Sequence, residues 1–129
     1  MDKQERLEVI NKLIKYMSEN GRRFFWTKDT AKEDGVESVA YMKLKNGRLY
    51  FVDNNTLKEV PMTARSNWAG FSHGGTLRAL VTDFAEFIRT GEYTNGRNGY
   101  GGLLCSHWGH SNEVQKKIIV YAKELGYLR

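Results

Sequence analysis

The chain has 129 residues and carries 20 Lys and Arg against 15 Asp and Glu, for a formal charge of +5. That length suits one domain burying roughly two-thirds of its unfolded surface and leaves no room for two independent cores. No apolar run approaches the roughly 20 residues that cross a bilayer, the opening residues do not resemble a signal peptide, and the lone Cys105 has no internal disulfide partner. The expectation is therefore a cytoplasmic protein of a reducing compartment, with no membrane partner, whose stability comes from packing.

In chain order, Leu7, Ile10, Leu13, Ile14 and Met17 recur at helical spacing, which predicts an amphipathic helix over residues 3–19 that stops at Asn20-Gly21. Arg22 to Thr27 reads as a short strand, followed by a charged loop at 28–35. Val39–Lys45 and Arg48–Asp53 then flank Asn46-Gly47, the pair that most strongly marks a type I′ hairpin, because both central residues need positive φ. After a turn at Asp53-Asn54-Asn55, Thr56–Met62 returns as a third strand, with Pro61 marking an edge or an end.

Leu77, Leu80, Val81, Phe84, Ala85 and Ile88 make a wide apolar stripe over Thr76–Arg89, closed by Gly91. Ser111–Leu125 repeats the pattern through Val114, Ile118, Ile119, Ala122 and Leu125, with Ser111 as N-cap and Gly126 as stop. The predicted fold is a single α+β domain over residues 1–129. It has an N-terminal helix, a three- to four-stranded antiparallel sheet and two C-terminal helices packed on that sheet.

Four segments have residue types that carry chemistry. Ser72, His73, Gly74, Gly75 and Thr76 run straight into a helix, where free N–H groups and the helix dipole favour an anion such as phosphate; helix capping alone also accounts for them. Cys105, His107 and His110, with His73, offer thiolate and imidazole ligands for a tetrahedral zinc, but C-x-H-x-x-H is not an established zinc spacing, and the leading expectation is no cofactor, with a buried thiol and hydrogen-bonded histidines at a helix entry. The same residues offer a Cys nucleophile beside a His base, but no orienting partner or oxyanion donor can be placed, and a catalytic role is the weaker expectation.

The third segment, Thr94 to Gly102, is glycine-rich and holds Arg97 and Tyr100, a composition suited to a flexible surface loop that touches a ligand or partner; it lacks the residues of a P-loop. In the fourth, the strands mix Arg22, Arg23, Lys43, Lys45, Arg48 and Lys58 with Phe24, Phe25, Trp26, Tyr41, Tyr50 and Phe51. Cations and aromatic rings on one sheet face are how many single-strand binders work, though strand alternation must send half of these rings inward.

Arg22 to Phe25, Asn46 to Asp53, Gly70 to Gly91 and Trp108-Gly109-His110 through Leu128 together resemble small accessory proteins of tailed bacteriophages. That resemblance covers most of the chain and carries no assigned activity, so it implies no catalytic residues. It implies a protein that binds and redirects or blocks a host protein or nucleoprotein complex, such as a defence system or the transcription machinery. Trp68, Arg97, Tyr100 and Trp108 are then the expected contact anchors, since aromatic and Arg side chains dominate interfaces. The alternative is direct nucleic-acid or nucleotide binding with Ser72 to Thr76 as the anion site.

Overall fold

The computed structural model describes residues 1–20, 39–53, 58–63, 68, 74–93, 95–97, 101–105 and 111–129; at Gly74 and Thr76 it describes the backbone alone. The first helix, α1 (Lys3–Asn20), buries all five residues of the predicted stripe, Leu7, Ile10, Leu13, Ile14 and Met17. Its start is a capping box: the Glu5 N–H donates to Asp2 Oδ1 at 2.8 Å, and the Asp2 N–H reaches Glu5 Oε1 at 3.4 Å. The backbone bond from Glu5 holds the Asp2 carboxyl below its ordinary range.

Strands β1 (Tyr41–Lys45) and β2 (Arg48–Val52) form the predicted hairpin, with Asn46 at φ 52° and Gly47 at φ 76° as a type I′ turn requires. Strand β3 (Glu59–Pro61) pairs antiparallel with β2, and the sheet order is β1-β2-β3. The sheet thus has three strands among the described residues. Residues 22–27, the fourth strand of the sequence reading, lie outside them, as do 28–35. The predicted first strand loses Val39 and Ala40, of which Val39 keeps only an isolated bridge, while Pro61 ends the third as expected.

Helix α2 (Gly74–Thr90) starts two residues before the predicted Thr76, because first-turn N–H groups need no partner inside the helix and glycine is tolerated there. It is buried almost all round: Leu77, Ala79, Leu80, Val81, Asp83, Phe84, Ala85, Phe87 and Ile88 are each at most 3% exposed. Its last carbonyls are capped from α1, where Arg6 Nε donates to the Ile88 carbonyl at 2.9 Å and Nη2 to that of Arg89 at 3.3 Å, a cation at the negative end of the dipole. A short 3₁₀ turn (Gly102–Leu104) leads towards α3 (Asn112–Leu125), which begins with Ser111 Oγ accepting the Val114 N–H at 3.2 Å and ends at Gly126 with φ 89°.

Met42, Phe51 and Val60 lie opposite one another across the three strands and are all buried, which fixes the inward face of the sheet. One core cluster joins these to residues of all three helices, from Leu7 to Leu128. The helix seated most closely on the sheet is α1: it packs on β1 and also against α2 and α3.

Candidate functional site

Because side chains alternate along a strand, the faces of the hairpin are set by the inward row. Tyr41, Lys43, Lys45, Arg48 and Tyr50 therefore share the outward face, with Glu59 and Pro61 contributed by β3. Tyr41, Lys45 and Arg48 are exposed, Lys43 and Tyr50 half-buried, and Val52 at the far end of this face is buried. Phe51 goes to the core, as alternation requires. Lys43 Nζ reaches over the central strand to Glu59 Oε1 at 2.5 Å, and this bond holds the ammonium above and the carboxyl below its ordinary range. Lys45 stands directly opposite Arg48 in the register.

Of the four expected contact anchors, Tyr100 and Trp108 lie outside the described residues. Arg97 is at the surface, its side chain 65% exposed, with Nη1 at 3.7 Å from Glu86 Oε2. Trp68 corrects the sequence reading: it is only 9% exposed and stacks on Phe51 with ring centroids 5.8 Å apart, so it fills the core instead of presenting a ring to a partner. Of the glycine-rich segment, residues 95–97 and 101–102 are described. Gly102 and Leu103 are buried, and the Gly96 N–H donates to Asp83 Oδ2 at 3.2 Å.

Within the expected anion site, Gly74, Gly75 and Thr76 form the first turn of α2, while Ser72 and His73 lie outside the described residues. Of the expected zinc ligands only Cys105 is described, as a half-buried thiol; His73, His107 and His110 are not. Among the described residues no group of three or more His, Cys, Asp or Glu converges as a metal site.

Sequence reasoning missed Asp83. The residue flanks the apolar stripe of α2, three positions after Leu80, and is fully buried against the segment around Gly96 and Gly102. Tyr127 sits nearby, its ring edge-on to Phe84, Phe87 and Tyr93 at 5.0–5.3 Å. Burial, and then the Asp83 charge, push the Tyr93 hydroxyl up to about 12 and that of Tyr127 well above its ordinary value. Both hydroxyl oxygens are buried with no hydrogen-bond partner among the described residues. The cluster locks the C-terminal residues and the glycine-rich segment onto α2.

A family model described as YoqU matches residues 1–129. The chain belongs to the YoqU family. A relative from Bacillus subtilis (strain 168), named as an SPbeta prophage-derived uncharacterized protein YoqU, is 33% identical over 126 residues, covering 96% of this chain and 83% of that protein. No solved structure matches this YoqU-family chain. The prophage origin of the relative agrees with the phage resemblance in its broad form, and no helix among the described residues is long and apolar enough to cross a membrane.

Proposed function

We propose that this chain is a non-catalytic accessory protein of phage type. It occupies an anionic surface of a host protein or nucleoprotein complex with the outward face of its hairpin. The observation that supports this best is the composition of that face: Lys43, Lys45 and Arg48 beside Tyr41 and Tyr50, with Glu59 as the one carboxylate among the described residues of the three strands that lies on it. Such a face attracts negative charge at long range and offers flat rings for contact once docked. The prophage origin of the Bacillus subtilis relative supports a bacterial host cell as the setting, with a defence system among the targets that fit.

The test is affinity capture of the tagged chain from bacterial lysate, with and without nuclease, compared with a Tyr41→Ala, Lys43→Ala double variant. One dominant protein that survives nuclease and is lost in the variant is the expected result. A nuclease-sensitive mixture, with binding that falls steeply with salt, would replace the protein target with nucleic acid. Capture unchanged in the variant would remove the hairpin face from the interface.

A further inference from the structure

At the turn end of the sheet, a cavity of about 500 Å³ opens between the start of β2, the end of β3, the first turn of α1 and the last turn of α2. Its lining includes Lys3, Arg48 and Arg89, one cation from each of those three flanking elements β2, α1 and α2, together with Tyr50 and the segment Pro61–Thr63. Among the described residues no Asp or Glu lines it. Lys3 Nζ donates to the Gly47 carbonyl at 3.3 Å, and Arg89 Nη2 donates to the Met62 carbonyl, which holds two of the cations at the rim. Lys45 adds a fourth positive charge opposite Arg48. Among the described residues none of these four is in an ion pair.

Like charges placed opposite one another on adjacent strands cost stability, and two more cations, Lys3 and Arg89, around a cavity with no carboxylate among its described lining residues add to the repulsion. The arrangement has a use if an anion fills it. The acids at the N-terminus of α1, Asp2 and Glu5, are engaged in the capping box instead. We propose that this cavity binds the phosphate of a nucleotide unit, with Lys3, Arg48 and Arg89 as its cationic cradle and Tyr50 as a stacking surface for the attached base. The cavity falls within the usual range for small-ligand sites, roughly 300–1,000 Å³, and is larger than a phosphate alone requires. The site is separate from the turn that opens α2. It shares Arg48, Tyr50 and Pro61 with the proposed contact face, where Lys45 also stands.

The source of the phosphate is either a free nucleotide or a nucleic-acid strand, and two probes separate them: adenosine 5′-monophosphate and a single-stranded ten-residue oligothymidylate, titrated into the full chain by calorimetry. Saturable binding of either probe is expected, weakened about tenfold by Arg48→Ala and by Lys3→Ala. Lys117→Ala, an exposed cation on α3, leaves it unchanged. Binding of the mononucleotide identifies a free ligand, and binding of the oligonucleotide alone identifies a strand. No saturation by either probe into the millimolar range overturns the proposal, as does full affinity in both cradle variants. Tyr41→Ala, Lys43→Ala lies outside the cavity, so loss of host capture with nucleotide binding intact leaves the cavity standing when the contact face is tested separately.

Discussion

The side chain of Asn11 pairs with both main-chain polar groups of Met42: Nδ2 donates to the Met42 carbonyl at 2.9 Å, and the Met42 N–H donates to Oδ1 at 2.7 Å. An amide from α1 thus completes the hydrogen bonding of an outer strand and fixes the helix against the sheet. Asn11→Ala leaves two part-buried backbone groups unsatisfied and should cost about 2–4 kcal/mol, at 1–2 for each lost bond. Asn11→Asp keeps the acceptor, loses the donor and sets a negative charge against a carbonyl, so it should recover little. Urea unfolding of the two variants checks both expectations.

Gly102 has φ +58°, and a Cβ there would lie 2.6 Å from Asp83 Oδ2, 2.7 Å from the Gly96 nitrogen and 2.8 Å from Asn95 Oδ1. Two of those atoms belong to groups held in place by the bond between Gly96 and Asp83, so little can give way. Gly102→Ala should destabilise by more than about 2 kcal/mol, combining positive-φ strain with overpacking. Gly126→Ala, where the nearest atom is the Met1 Cε at 3.3 Å, the end of an unbranched side chain, should cost about 1 kcal/mol. Equal losses in the two melting curves would mean that the Asp83 contacts do not constrain the segment.

Trp68 stacks on Phe51 inside the core, so Trp68→Ala should lower stability by about 3–5 kcal/mol. Any fall in partner capture should then track the fraction unfolded and vanish at low temperature. Capture lost from a fully folded variant would return Trp68 to the interface.

What the sequence disclosed follows from how local each signal is. Asn46-Gly47 specifies its turn within two residues, and the stripes of α1 and α3 are complete within each helix, so these elements emerge where the pattern puts them. Asp83 did not emerge because a charged residue off the apolar stripe reads as solvent-facing, whereas α2 is covered on that side by a segment some fifteen residues further along the chain. Trp68 stands outside any periodic run, leaving its burial to tertiary packing alone. The cationic cavity draws on positions 3, 48 and 89, which only the folded topology brings together. The basic aromatic face was legible as composition, and alternation then decided that Tyr41 and Tyr50 stay outside while Phe51 goes in.

Ser111 closes the start of α3 through its hydroxyl, and Ser111→Ala should cost about 1 kcal/mol. Ser111→Asp keeps an acceptor and adds a negative charge at the positive end of the helix dipole, so it should be neutral or stabilising. Thermal unfolding at low ionic strength compares the two. A Ser111→Asp variant as unstable as Ser111→Ala would show that the hydroxyl acts through something other than the cap.

Tyr127 makes the fold sensitive to high pH. Its hydroxyl is buried among rings and near Asp83, and its pKa in the folded chain lies well above the ordinary 10.0; Tyr93 is raised to about 12 for the same reasons. A raised folded value means that the unfolded chain loses these protons first as pH climbs. Below about pH 10 both states hold them and stability is unaffected by the difference; between about pH 10 and 12 the unfolded state binds fewer protons, so stability falls with rising pH. Melting temperature should therefore drop steeply across that interval, with phenolate absorbance appearing together with unfolding. Tyr127→Phe removes one ionisable group and a buried hydroxyl with no hydrogen-bond partner among the described residues, so it should melt within about 1 kcal/mol of the parent at pH 7, on the stabilising side, and hold its structure to higher pH. An identical alkaline midpoint in the variant would assign the transition to other groups.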